Sequence, residues 1–182
     1  MIRDHRRGQV YAAEDLAAEA TALSEPRTIE FLLRTANALC GGRWWQVVLG
    51  CGPVSVVLNR SEQRSYYSPD TRTISLSPRA CDLGTLTHEL AHAAAFDRGE
   101  YNPYHGRRFR TLHVQVRAAL LGEQCAADLL AVYRQFGLGT DRPDQAVPSA
   151  PVLPADLYVR EQIVGRPSVG RPSEARGGPI AL

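Results

Sequence analysis

Two periodicities divide this chain. Residues 9–23 are rich in Ala, Glu and Leu, a helix-forming composition, and Glu25-Pro26 ends that stretch. Thr28 is placed to cap a second helix in which Ile29, Leu32, Leu33, Ala36 and Leu39 fall at helical spacing, and Gly41-Gly42 closes it. The texture then changes to short β-branched and aromatic runs. Residues 44–49 and 54–58 predict strands separated by the turn cluster Gly50-Cys51-Gly52-Pro53. Residues 65–68 and 73–76 predict a hairpin about Pro69-Asp70-Thr71-Arg72, with Ile74 and Leu76 on one face. Pro78 ends this strand, and Asp82 is a plausible N-cap for a third helix carrying an apolar stripe of Leu83, Leu86, Leu90 and Ala93. That helix runs to about residue 98, where Gly99 is a natural stop. After a loop, Phe109, Leu112, Val116 and Leu120 mark a fourth helix. Gly122 separates it from a last one carrying Ala126, Leu129, Leu130, Tyr133 and Phe136.

The predicted class is therefore α+β, with a small, mostly antiparallel sheet packed on helices over residues 1–137. The two N-terminal helices read as packing elements without chemistry. Beyond residue 137 the pattern is lost: seven of the 12 Pro lie there, and Gly-Arg-Pro-Ser occurs twice, at 165–168 and 170–173. Residues 138–182 read as a flexible Pro/Gly/Arg-rich tail without a core of its own, in which 155–164 has some helical pattern. Its five Arg are matched by five acidic residues, so it is not a polycationic arm.

Composition bounds the function. A chain that is 44% hydrophobic and 22% charged can bury a real core, and a net charge of +2 is too small to imply nucleic-acid binding. Cys40, Cys51, Cys81 and Cys125 are widely spaced, which argues against a disulfide framework and against a zinc ribbon and favours free thiols. The first residues lack an apolar signal core, and no stretch reaches the roughly 18 apolar residues of a membrane span. The expected location is cytoplasmic, with no membrane partner.

The chemistry concentrates in the third helix, at His88-Glu89-Leu90-Ala91-His92. Residues four apart share a helix face, so His88 and His92 can address one ion, while Glu89 can reach a water on that ion. In a chain of this composition the pattern would arise by chance roughly 0.007 times, so it is read as a zinc site with Glu89 as general base. A catalytic zinc uses three protein ligands. A Gly and a His three and six residues after His92 would continue the metzincin pattern, but Ala95 and Arg98 stand there, which excludes it. Asp97 and Glu100 are possible third ligands. His105 is better placed, past the helix stop, where the chain can fold back over the metal; His113 is expected to pack or be solvated.

His88-Glu89-x-x-His92 followed by His105-Gly106-x-x-Phe109 resembles the SprT-like zinc metallopeptidases, the superfamily that includes Spartan, and most of all its small actinobacterial and actinophage HExxH metallohydrolases. The run Tyr66–Pro78 also looks like the strand pair ahead of that family's metal helix. The resemblance covers about residues 40–121 and extends to the N-terminal run Val10-Tyr11-Ala12-Ala13-Glu14. It implies a zincin-like minimal metalloprotease domain, one Zn²⁺ per chain on His88, His92 and His105, and hydrolysis of peptide bonds in a protein or peptide substrate with Glu89 as general base. Tyr101, Tyr104 and Arg107 are then candidate oxyanion or substrate contacts, and residues 72–76 the candidate edge strand for substrate pairing. The family's zinc ribbon and Spartan's DNA-binding segments have no counterpart here. Two other readings compete: a non-catalytic zinc adaptor, against which Glu89 argues, and nucleic-acid binding through Arg107, Arg108, Arg110 and Arg117.

Overall fold

A computed structural model describes residues 4, 6–19, 23–60, 64–100 and 105–141. His5, Tyr101, Tyr104 and the tail from residue 142 lie outside them. The elements are helices α1 (Arg7–Glu19) and α2 (Ile29–Cys40), a π-helical turn (Trp44–Val48), strands β1 (Ser55–Leu58), β2 (Tyr66–Ser68) and β3 (Thr73–Leu76), a 3₁₀ turn (Pro78–Ala80), and helices α3 (Leu83–Asp97), α4 (Arg107–Leu121) and α5 (Glu123–Gln135). The α+β class holds. Thr28 caps α2 through a bond from the Phe31 amide, and Asp82 caps α3 through one from Thr85. Gly99, at φ +88°, follows the end of α3.

Three expectations about the strand region change. Residues 44–48 are helical and Leu49 caps the turn, so 44–49 is not a strand. Successive side chains of a strand face opposite ways, whereas both Trp44 and Trp45 enter the core, with Trp45 fully buried and its indole N–H donating to Gly52 O at 2.7 Å. The β-branched pair that suggested a strand, Val47 and Val48, faces solvent instead. The sheet is mixed rather than mostly antiparallel: its order is β1-β3-β2, with β1 parallel and β2 antiparallel to β3. Residues 72–76 are therefore not an edge. β3 is paired on both sides, which explains why Ile74, Ser75 and Leu76 are all buried.

α3 runs through the middle of the molecule. Leu86, Leu90, Ala93 and Ala94 pack into a core shared with α2, the sheet and α4, through Leu32, Trp45, Ile74, Leu76 and Val116. Ala91 belongs to a second cluster with Val10, Ala13 and Ala17 of α1, Phe109 of α4, and Leu129, Tyr133 and Leu138. The packed part of the chain thus reaches past α5 to Leu138.

The end of α3 is fastened to the strand layer. Arg72, in the left-handed region at φ 50°, places its guanidinium on Asp97 at 2.7 and 2.5 Å and donates to Pro53 O. Asp97 also accepts from the Gly52 amide at 3.0 Å. A Cβ at Gly52 would come within 2.9 Å of that guanidinium, so a side chain there would displace it from its seat on Asp97. Asp97, considered above as a ligand, is thus committed to structure.

Burial opposes the Asp97 charge, but Arg72 and the Gly52 amide outweigh it and hold the carboxyl below its ordinary value. A carboxyl lowered in the folded state stabilises above its unfolded pKa and loses that contribution as pH falls through the folded value. Asp97→Asn is expected to lower stability at pH 7 by about 1–3 kcal/mol. Urea unfolding should show the gap to wild type closing below about pH 4; a gap unchanged with pH would mean that the carboxylate's charge contributes nothing.

Candidate metal centre

His88, Glu89 and His92 sit mid-helix in α3, and His105 stands just before α4, whose first turn closes on Gly106 through the Arg110 amide. His105 lies back against α3 beside His88, as the sequence suggested. His88 Nε2 lies 3.1 Å from His92 Nε2 and 3.2 Å from His105 Nε2. The three form a group that could hold a metal, with His88 and His105 buried and His92 partly exposed. Glu100 is not a member.

These short contacts are the test of fit. His88 Nδ1–H donates to Glu14 Oε2 at 2.8 Å, and His105 Nδ1–H donates to Asp4 Oδ2 at 2.7 Å, which turns both Nε2 lone pairs toward the cluster. Two lone pairs facing each other at 3.2 Å repel. Burial pulls the His88 ring down, yet Glu14 more than offsets it and the net direction is up; burial together with neighbouring His88 pushes His105 down, and His92 falls well below the ordinary value. A proton on His88 Nε2 serves one of its two contacts and leaves the other unmet. A central cation serves all three nitrogens. Metal–nitrogen bonds of about 2.0–2.1 Å in a tetrahedral site place ligand nitrogens roughly 3.3–3.4 Å apart, close to the observed spacing.

The floor is Phe109, fully buried, with its ring centroid 4.3 Å from that of His92, 4.8 Å from His105 and 5.0 Å from His88. Glu89 is buried beside His88 and accepts a hydrogen bond from the Tyr67 amide of β2; burial pushes its carboxyl up. A carboxyl raised in this way is a stronger base than a solvated one.

Glu14 of α1 and Asp4 were missed by the sequence reading. Glu14 is the hub behind the centre: besides His88 it accepts from the Tyr133 hydroxyl at 3.0 Å and lies 3.2 Å from His113 Nδ1. Burial opposes its charge, but His88 and His113 hold it well below the usual carboxylate range. Its position carried a signal, because Val10, Ala13, Glu14 and Ala17 share the buried face of α1 and one of them is a carboxylate. Asp4, which also accepts from the His105 amide at 3.3 Å, had none. His113 packs, as expected: it is fully buried, and its Nε2 lies 3.3 Å from Thr87 Oγ1. A second grouping of Glu14, His88 and His113 also has ligand-like spacing. Tyr133 and the carboxylate already satisfy it, so it reads as a hydrogen-bond network.

The arginines of α4 do not form one exposed face. Arg107 and Arg108 are exposed, but Arg110 and Arg117 are buried. Arg110 donates to the His105 carbonyl and to Gly139 O, bracing the backbone at His105, while burial opposes the Arg117 charge and Glu14 is its chief counter-charge. Arg107 lies along Gly139. The four-arginine nucleic-acid surface is therefore withdrawn.

Glu14→Gln and Asp4→Asn should each weaken Zn²⁺ binding about 10–100-fold, read by competition with a chromophoric chelator. Affinities equal to wild type would assign both carboxylates to packing alone.

No protein-family model, no curated protein and no solved structure matches the chain, and among the described residues no helix is long and apolar enough to cross a membrane.

Proposed function

We propose that this protein is a zinc-dependent metallohydrolase of the SprT-like, zincin type, acting on peptide bonds, with one Zn²⁺ held by His88, His92 and His105. The observation that carries the reading is the convergence of three imidazole Nε2 atoms beside a buried carboxylate that is hydrogen-bonded to none of them. A purely structural zinc site has four protein ligands and no use for that carboxylate. Among the described residues the grouping stops at three.

When bound, the ion supplies Lewis acidity to a water molecule and to the substrate carbonyl. Glu89, raised by burial and fixed by the Tyr67 amide, takes the proton from the attacking water and returns it to the leaving amine. Asp4 and Glu14 keep the imidazoles in the ligating tautomer. The Tyr67 amide brings β2 to the general base, and β2 is a sheet edge. An extended substrate pairing with β2 would lie alongside Glu89, which moves the substrate strand from residues 72–76 to Tyr66–Ser68.

Incubation of the zinc-loaded protein with a diverse peptide mixture, followed by mass spectrometry, should reveal new termini that vanish when a chelator strips the metal. Glu89→Gln should keep its zinc and lose about 10²–10⁴-fold in rate. Cleavage undiminished in Glu89→Gln would reject the assigned base, and no cleavage by the loaded wild type would favour a non-catalytic zinc domain.

A further inference from the structure

α1 turns more than Glu14 toward the histidines. Arg7, Tyr11 and Glu14 are four and three residues apart and so share one face of the helix. Glu14 reaches behind the cluster, whereas Tyr11 lies against its outer side. Its ring centroid is 5.4 Å from that of His88 and 5.2 Å from that of His105, edge-on to the latter, and the residue is 38% exposed. Phe109 closes the other side and is fully buried. Tyr11 is thus an aromatic wall between the histidines and solvent. Arg7 is exposed, with its guanidinium carbon 5.4 Å from the Tyr11 ring centroid and a hydrogen bond to the phenol oxygen. Since the guanidinium donates that bond, the phenolic O–H remains free to donate elsewhere.

Amide hydrolysis moves negative charge onto the carbonyl oxygen of the scissile bond, and a preorganised donor at that oxygen is worth most where water is excluded. The protein's own groups nearest the cluster are poorly suited. Glu89, Glu14 and Asp4 are carboxylates, and Arg110 is occupied with backbone carbonyls. Of the donors expected from sequence, Tyr101 and Tyr104 lie outside the described residues, and Arg107 lies along Gly139.

We propose that Tyr11 donates the hydrogen bond that stabilises the negative charge developing on the substrate carbonyl oxygen, with Arg7 as the residue that positions its hydroxyl. The assignment rests on the hydrolytic reading above. A phenol ordinarily titrates at about pH 10, so the hydroxyl has a proton to donate at neutral pH. Packing against the two imidazoles fixes the ring before substrate arrives, which is what a preorganised donor requires.

The test uses the full chain loaded with Co²⁺, whose visible absorption reports ligands entering the metal's open position. Wild type, Tyr11→Phe and Arg7→Gln are titrated with inorganic phosphate as a tetrahedral oxyanion, after metal stoichiometry has been measured for each. Tyr11→Phe keeps the ring packing, so its metal content should equal that of wild type while phosphate binding weakens about 10–100-fold. Arg7→Gln should weaken it less. On a cleaved peptide, Tyr11→Phe should lower kcat about 10²–10³-fold with KM nearly unchanged. Equal phosphate affinity in wild type and Tyr11→Phe, or no phosphate binding by metal-loaded wild type, overturns the role of Tyr11 and leaves the three-histidine centre standing. A wild type that takes up no metal removes the hydrolytic reading, and this assignment with it.

Discussion

Thr87, His88 and Glu89 are three successive polar side chains buried in the middle of α3, and the structure around them is arranged to satisfy them. A buried polar group left without a partner costs about 1–3 kcal/mol, and a charged one more. Each of the three draws its partner from a different element. Thr87 meets His113 of α4, His88 meets Glu14 of α1, and Glu89 meets the Tyr67 amide of β2. A helix that is apolar elsewhere could pack in several rotations. One that must place these groups has a single setting, and that setting turns His88 and His92 toward His105.

Electrostatics gives the same constraint a direction. Asp4, Glu14 and Glu89 surround the histidines; of the cationic side chains nearby, Arg110 is committed to the carbonyls of His105 and Gly139, Arg117 is buried with Glu14 as its counter-charge, and Arg7 lies on Tyr11. A carboxylate behind each of two imidazoles and a third beside them make a pocket that favours a cation at the point where the Nε2 atoms meet. The guanidinium on the open side, Arg7, lies against the Tyr11 ring and not against the histidines, so the phenol is the donor that packs on the cluster there.

The sequence was informative where chemistry is local. Capping by Thr28 and Asp82, the stop at Gly99, the hairpin about residues 69–72 and the shared face of His88 and His92 all follow from short-range spacing, and His105 was reached through the helix stop before it and the family resemblance. It was misleading where burial decided the conformation. Trp44 to Val48 carry strand-forming side chains, but two adjacent tryptophans that both need the core cannot alternate, and the segment turns helical. It was silent where the contact is long-range. Asp4 meets His105 across 101 positions and Glu14 meets His88 across 74, and no local pattern records either. Arg110 and Arg117 read as a charged face because helical spacing cannot tell a buried guanidinium from a solvated one.

The central claim is that three imidazoles share one ion beside a general base. Elemental mass spectrometry of the purified protein, next to His105→Ala and Glu89→Gln, tests it most directly. The account predicts one zinc per chain in wild type, full retention in Glu89→Gln and loss in His105→Ala. Zinc absent from wild type, or fully retained when His105 is removed, would contradict it.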